Sequence, residues 1–283
     1  MRKYKLKENY FGKIDTEAKA YILGFLFADG YVNEKYGQIS VTLHEKDCEL
    51  LNYMVREMYE TDRPLKHYKG YLRLVVCSNK MVSDLIKLGC TQRKTFTLKF
   101  PQIEEEFISH FMRGYFDGDG SITVGKDNTL NLSIVGTIEF LSVYQDRLKD
   151  VCQLNVTKFD DRHPDRKTNI RALRYGGNII INRIFYYLYN NSSVSLTRKK
   201  MIFENILKGK PYFKNENYKR NVYQKFIEYG DKMYTKTELA NILSIKLNQN
   251  KETIRRKLTN GWTLDEIFNT KLNYRRAKFK LND

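Results

Sequence analysis

Two stretches of this chain are apolar on almost every side and then end in acid and glycine. Residues 22–32 read ILGFLFADGYV, and residues 111–122 read FMRGYFDGDGSI. A helix that is hydrophobic all round belongs inside a core. A glycine in its middle costs about 1 kcal/mol relative to alanine, so it calls for a packing reason. Gly24 and Gly114 stand at matching places 90 residues apart, and so do Asp29 and Asp119. The pattern predicts two buried helices that approach closely through Gly24 and Gly114, each delivering one carboxylate to the same end of the contact. The run Asp117-Gly118-Asp119-Gly120 is expected to stop the second helix with residues that tolerate unusual backbone angles. One such stretch alone reads as a capped helix with its acids in water; its recurrence turns the reading towards a shared site.

Between the two stretches the polarity alternates as in strands. Residues 38–43 have period two and 71–76 are strand-like, with a partner strand expected around 65–69, whereas 47–58 and 81–88 read as helices. The order recurs: 131–134 follows 40–43 by 91 residues, 139–141 follows 49–51 by 90, and Arg198-Lys199 follows Arg93-Lys94 by 105. The expected fold is α+β, with two pseudo-twofold-related αββαββα units at 1–100 and 101–208. Their antiparallel sheets keep one face under helices and leave the other polar. Residues 209–236 read as a linker and 237–283 as a small helical extension.

The polar faces are the expected reading surface. Gln38, Ser40 and Thr42 share one face of their strand, as do Asn131 and Ser133 in the second half. Lys66, Tyr68 and Arg73 add longer donors to the first sheet. Arg162, Arg166, Lys167, Arg171 and Arg174 do so for the second. Charge says what this surface meets: 50 Lys+Arg against 33 Asp+Glu give +17, and 21 tyrosines are interleaved. That balance fits nucleic acid better than a bare membrane surface. A β-ribbon enters the major groove, where arginine pairs with guanine and glutamine or asparagine with adenine. The expected partner is double-stranded DNA and the expected state a monomer. No apolar run approaches the roughly 20 residues of a membrane span, and the basic N-terminus lacks the apolar core of a secretory signal. Cys48, Cys77, Cys90 and Cys152 show neither paired spacing nor a histidine cluster, which predicts reduced cysteines of an intracellular protein and no structural zinc.

Two facing acids repel, and a divalent cation between them is the economical remedy. Oxygen ligands suit Mg²⁺, which takes one or two carboxylates plus phosphate oxygens and water. With these residues in place, ILGFLFADG and MRGYFDGDG resemble the two motifs of a double-motif LAGLIDADG homing endonuclease, over about residues 10–208. The resemblance implies paired sheets forming a saddle over the duplex, with Asp29 and Asp119 as metal-binding catalytic carboxylates. It adds the preceding Ala28 and Gly118 to the metal site and implies two or three Mg²⁺ ions between the aspartates and the scissile phosphates. The implied product is a staggered double-strand break with 3′ overhangs in a long asymmetric target. Phe27 departs from the motif where an acid often stands, and Asp117 keeps it; that position is not the family's catalytic one. The resemblance also implies a basic residue in each cleavage pocket. Lys94 and Lys199 are favoured over Arg93 and Arg198, with plain phosphate anchoring as the alternative.

In the extension, residues 237–243 and 251–258 read as two short helices that resemble the helix-turn-helix modules appended to many mobile-intron and phage endonucleases. Thr253, Arg255, Arg256 and Lys257 would then face the major groove; a helical packing domain with a basic surface is the plainer reading. Two rivals stay open for the whole chain: a LAGLIDADG maturase that binds intron RNA, and a non-catalytic DNA-binding regulator of the same fold. Retention of both Asp29 and Asp119 favours cleavage. An intein is expected to be the weaker reading, since no splicing residues flank the endonuclease at Met1 and Asp283.

Overall fold

Helix α1 (Glu17–Asp29) opens at Thr16, whose side chain accepts from the Lys19 amide at 3.2 Å, and is buried without a break from Ala20 to Phe27. Helix α4 (Glu105–Asp119) is its counterpart, buried from Phe111 to Asp117. The two meet backbone to backbone. A methyl group at Gly24 would stand 2.0 Å from the Phe111 carbonyl oxygen, and one at Gly114 2.0 Å from that of Tyr21. Helix α1 ends at Asp29, and α4 runs on through Asp117 and Gly118, where a stop is expected, to Asp119. Gly30 (φ −75°) and Gly120 (φ −73°) then end them in extended backbone rather than in a left-handed turn. Glycine is needed there for space, since a Cβ would fall within 2.5 Å of the Leu26 and Phe116 carbonyl oxygens.

The computed structural model describes residues 3–161, 168–190, 192–207, 227–230, 232–234, 236–260 and 262–269. Arg162, Arg166 and Lys167 lie outside the described residues. After α1 the first half runs β1 (Tyr31–Asn33), β2 (Gln38–His44), α2 (Cys48–Met58), β3 (Lys66–Tyr68), β4 (Tyr71–Cys77) and α3 (Asn79–Lys87). Its strands form an antiparallel sheet in the order β1-β2-β4-β3. The second half follows α4 with β5 (Ser121–Val124), β6 (Leu130–Thr137), α5 (Ile138–Cys152), β7 (Ile170–Gly176), α6 (Asn178–Tyr189) and α7 (Thr197–Leu207). Its antiparallel sheet is β5-β6-β7. Where the repeat predicts a further strand, the described residues give a single bridge, Asp160 to Ala172.

Both halves belong to one compact unit, Met1–Phe213, because α1 and α4 are common to their cores. One buried cluster runs from Leu6 to Leu207. At its centre Tyr115 packs against Phe140 at 4.2 Å between ring centroids, and Phe111 meets Phe27 and Phe100 edge-on, each at 5.1 Å. The second unit is Lys214–Asp283. The stretch expected to be a linker carries a hairpin, β8 (Ile227–Tyr229) and β9 (Lys232–Tyr234), whose three-residue strands are too short to show a period. Helices α8 (Lys236–Leu247), α9 (Lys251–Thr259) and α10 (Leu264–Asn269) follow, closing a small core of Leu239, Leu243, Ile254, Leu258 and Ile267.

Candidate active site

The C-terminal ends of α1 and α4 define the site. Because the helices touch through their glycines, they reach the last turn side by side: a methyl group at Gly118 would stand 2.3 Å from the Cβ of Ala28. Asp29 and Asp119 follow these two residues directly. Both aspartates are open to solvent on one side, with protein crowding the others. That crowding raises Asp29 above the ordinary carboxylate range, against the pull of Lys199, Lys94 and Arg198. Asp119 rises to about 6, first from burial and then from repulsion by Asp29, with Lys94 and Lys199 opposing. An acid whose charge is suppressed by burial and by a neighbouring acid marks a place that favours a cation.

Two lysines supply part of that charge. Lys94 begins a short 3₁₀ turn, Lys94–Phe96, and donates to the Gly30 carbonyl at the end of α1. Lys199 lies in the first turn of α7, only 4% exposed. It donates to the carbonyls of Phe116 and Asp117, both at 2.8 Å, and of Gly120 at 2.5 Å. An ammonium has three donors, so Lys199 commits all of them to the end of α4 and acts on the site as a buried point charge. Burial pulls it down to about 8, with Asp117 foremost among the groups that hold it up. The neighbouring arginines differ from each other. Arg198 pairs with Asp47 at 3.1 Å, and Arg93 takes a left-handed backbone (φ 56°) ahead of the turn.

Asp117 stays out of this opening. It is 1% exposed and accepts from the Tyr21 hydroxyl at 2.8 Å, the Tyr189 hydroxyl at 2.6 Å and the Leu196 amide at 2.7 Å. Arg113, equally buried, donates to the Val194 and Leu188 carbonyls and to Glu17 at 2.7 Å. Buried charge is tolerated only when paired and hydrogen-bonded. Here that requirement ties α1 and α4 to the segment leading into α7 and Lys199.

Residues paired across a sheet share a face. In the first sheet Gln38 lies opposite Cys77, Thr42 opposite Arg73, Arg73 opposite Lys66, and Tyr68 opposite Tyr71. Ser40 is on that face but only 4% exposed. Arg73 lies across it, donating to its hydroxyl at 3.2 Å, so Ser40 holds an arginine on that face. In the second sheet Ser133 pairs with Ser121 and Arg174, and Asn131 with Thr123 and Gly176. The Ser133 hydroxyl is buried with no hydrogen-bond partner, and Arg174 is exposed with Asp160 at 3.0 Å. Arg171 departs from the expectation. Three residues from Arg174 on one strand, it must face the other way; it pairs with Asp161 at 3.2 Å and lines a groove with Ile138 and Ser142 of α5. In α9, Arg255 is exposed and bound to Glu252 at 2.9 Å, Arg256 is exposed, Thr253 is half-buried, and Lys257 lies over the Trp262 ring at 5.2 Å.

No family model matches the chain. It is 26% identical over 166 residues to ribonucleoside-diphosphate reductase NrdEB subunit alpha of Bacillus subtilis strain 168, covering 52% of this chain and 15% of that protein. To tRNA-splicing ligase RtcB of Pyrococcus abyssi it is 31% identical over 166 residues, covering 50% and 18%. The chain thus spans less than a fifth of the length of these curated relatives. Among solved structures it is similar to I-LtrWI bound to target DNA (TM-score 0.43, 13% identity, 83% of this chain and 98% of that one). It is also similar to I-AabMI bound to uncleaved DNA (TM-score 0.43, 11% identity, 88% and 99%) and to I-SmaMI bound to cleaved DNA (TM-score 0.42, 13% identity, 68% and 88%). These neighbours are LAGLIDADG homing endonucleases.

Several residues of this arrangement escape a reading of the sequence. Tyr31, Asn33, His44 and Tyr71 share the polar face of the first sheet; β1 is too short for alternation to reveal the first two, and the last two sit at the ends of their strands. Glu17, Tyr21 and Tyr189 give no local sign of the buried network. The available signal was the pair of charges, Arg113 and Asp117, inside an otherwise apolar helix.

Proposed function

We propose that this chain is a site-specific double-strand DNA endonuclease of the LAGLIDADG homing type, dependent on Mg²⁺. The observation that carries it is the pair Asp29 and Asp119, set side by side by helices in backbone contact, with Lys94 and Lys199 beside them. Among the described residues no three of His, Cys, Asp and Glu gather as a metal-holding group. The donor set of this reading is the two carboxylates with the carbonyls of Ala28 and Gly118, whose last-turn position leaves them without intrahelical partners. That fits Mg²⁺ completed by phosphate oxygens and water. Bound there, the ion would polarise the scissile phosphate and acidify a water. The lysines offset the negative charge that accumulates on a phosphodiester in its transition state. Lys94 has N–H groups to offer directly, and Lys199 acts through its field.

Gln38, Thr42, Lys66, Tyr68, Arg73, Asn131 and Arg174 are the residues to read base edges and hold phosphates, and Arg255 and Arg256 of α9 extend the contact. The two halves carry different polar residues on their sheets, which suits an asymmetric target. Double-stranded DNA as partner, a monomer as the working state and 3′ overhangs as product belong to the same reading. No helix among the described residues is long and apolar enough to cross a membrane.

The test is selection of cleaved sites from a randomised duplex library with the full chain and Mg²⁺. A recovered site should be cut on both strands. Asp29→Asn and Asp119→Asn should each abolish cutting while leaving binding within about tenfold, roughly 1.4 kcal/mol. Ca²⁺, with looser geometry, should permit binding without cutting. Normal cleavage by either variant would remove that aspartate from the chemistry. Tight DNA binding that never leads to cutting would favour a regulator, and stronger competition by RNA a maturase.

A further inference from the structure

The segment carrying each lysine is fastened by residues of the opposite half. After Lys94, the Phe96 carbonyl accepts from the Asn169 side chain at 2.9 Å and the Leu98 carbonyl from the Thr137 hydroxyl; both donors belong to the second half. Asn169 is itself fixed to the start of α5, its carbonyl accepting from the Ile138 amide at 2.9 Å. Before Lys199, the Ser193 amide and hydroxyl donate to Glu17 at 2.8 and 2.9 Å. Arg198, the residue next to Lys199, pairs with Asp47; Glu17 and Asp47 belong to the first half. Asp47 and Thr137 occupy the same place in the repeat, each preceding the helix that follows the first strand pair. The crossing therefore occurs twice, through chemically different residues. The lysines themselves turn back onto the motif helix of their own half.

We propose that each lysine is held in register by the opposite half: Asn169 and Thr137 are positioning residues for Lys94, and Glu17 and Asp47 for Lys199. Damage to a brace then appears at the lysine across the molecule. Where the chain acts as the proposed endonuclease, on which this last step rests, the damage appears as slowed cutting of one strand. Misplacing a charged group by about 1 Å is enough, because catalysis depends steeply on the alignment of reacting and supporting groups.

Two braces can be removed with little risk to the fold. Asn169 is half-buried. Asp47 stands before α2 without making a side-chain cap bond, so Asp47→Asn weakens the pairing with Arg198 and removes no cap. Arg198→Gln tests the same brace from its exposed end. The first measurement needs no DNA: brief acetylation of the full chain with acetic anhydride, with modification of Lys94 and Lys199 read by mass spectrometry against exposed Lys13 and Lys87. Losing one hydrogen bond of ordinary strength shifts a local opening equilibrium about three- to tenfold. Asn169→Ala should change Lys94 by that factor and leave Lys199 alone. Asp47→Asn and Arg198→Gln should change Lys199 and leave Lys94 alone, with Asp47→Glu restoring it.

The second measurement is strand-resolved cutting of a selected duplex labelled separately at each end. Lys94→Met and Lys199→Met define the strand each lysine serves. Asn169→Ala should reproduce the bias of the former, and Asp47→Asn that of the latter. Labelling that moves in both lysines alike, in neither, or only in the lysine of the same half overturns the proposal. So does cutting that slows equally on both strands. Labelling that moves as expected in a protein that cuts no DNA leaves the bracing standing and removes the proposed function.

Discussion

The two halves deliver the same acid at the same helix end and then secure it by different means. In the first half the helix positions leading to Asp29 are apolar. Phe27 fills the place of Asp117, Leu23 the place of Arg113, and both are fully buried. In the second half that volume holds Asp117, Arg113 and their partners Tyr21, Tyr189 and Glu17. The lysines follow suit. Lys94 is half-exposed with one carbonyl partner, whereas Lys199 is buried with three. A repeat can therefore keep its chemistry at two positions while exchanging a hydrophobic support for an ionic one. What must be kept is the geometry of the helix ends; how each is stabilised is free to drift, provided that every buried charge stays paired.

The glycines are where the halves should behave alike, and the effect should be the largest. Gly24→Ala and Gly114→Ala each put a methyl group 2.0 Å from a carbonyl of the facing helix, and backbone cannot rotate aside as a side chain can. Overpacking usually costs about 1–3 kcal/mol, and this clash belongs at or above the upper end. At about 3 kcal/mol the melting temperature of a unit this size falls by roughly 6–12 °C, and the carboxylates part. Thermal melts of both variants check it. A normal melt for either would mean that the helices do not meet through that glycine, and a large difference between the two would break the equivalence of the halves at their contact.

The lysines are where the halves should differ. Lys199→Met leaves three carbonyls at the end of α4 without their donor. Unsatisfied buried acceptors cost about 1–3 kcal/mol each before water returns, so a net loss of about 3 kcal/mol is expected in urea unfolding. Lys94→Met releases one carbonyl at a half-exposed position, and the loss should stay under about 1 kcal/mol. Cleavage should suffer in both, through turnover at full folding for Lys94→Met. Equal losses of stability would mean that Lys199 is not the cap of α4.

How much of this was legible follows from the range of each signal. The helix pair, its glycines and the two acids could be read because a wholly apolar helix with a mid-helix glycine states its own burial. Thr42 and Arg73 could be placed on one face because a strand of seven residues shows its alternation. Arg171 was misplaced because it was grouped with Arg174 by charge, ignoring the odd spacing that sends them to opposite faces. The burial of Ser40 is not legible, because its cover is a side chain from another strand. The braces at Asn169, Thr137, Glu17 and Asp47 join residues 73, 39, 176 and 151 positions apart, a distance over which no local pattern carries information.

The smallest effect separates the two aspartates themselves. In the folded protein Asp119 keeps its proton up to about 6, against an ordinary value of 3.8. Between those values the folded state binds more protons than the unfolded one, so stability must fall as pH rises through that window. Asp117, raised by its burial, adds a slope of the same sign, while the exposed acids Asp15, Asp127 and Glu252, lowered by their hydrogen bonds, add slopes of the opposite sign. These contributions cancel when wild type and variant are compared. Metal-free protein in a chelator should therefore lose stability from about pH 4 to about pH 6 more steeply than Asp119→Asn does, and the variant should be the more stable of the two at neutral pH. Asp29→Asn should flatten the slope for a second reason, since removing its charge also removes the repulsion that raises Asp119. Because both carboxylates are open to water on one side, the effect is modest and is best read as a difference between parallel urea titrations. Slopes that coincide in all three proteins would mean that water screens the pair fully, and the case for a cation between them would then rest on the helix geometry alone.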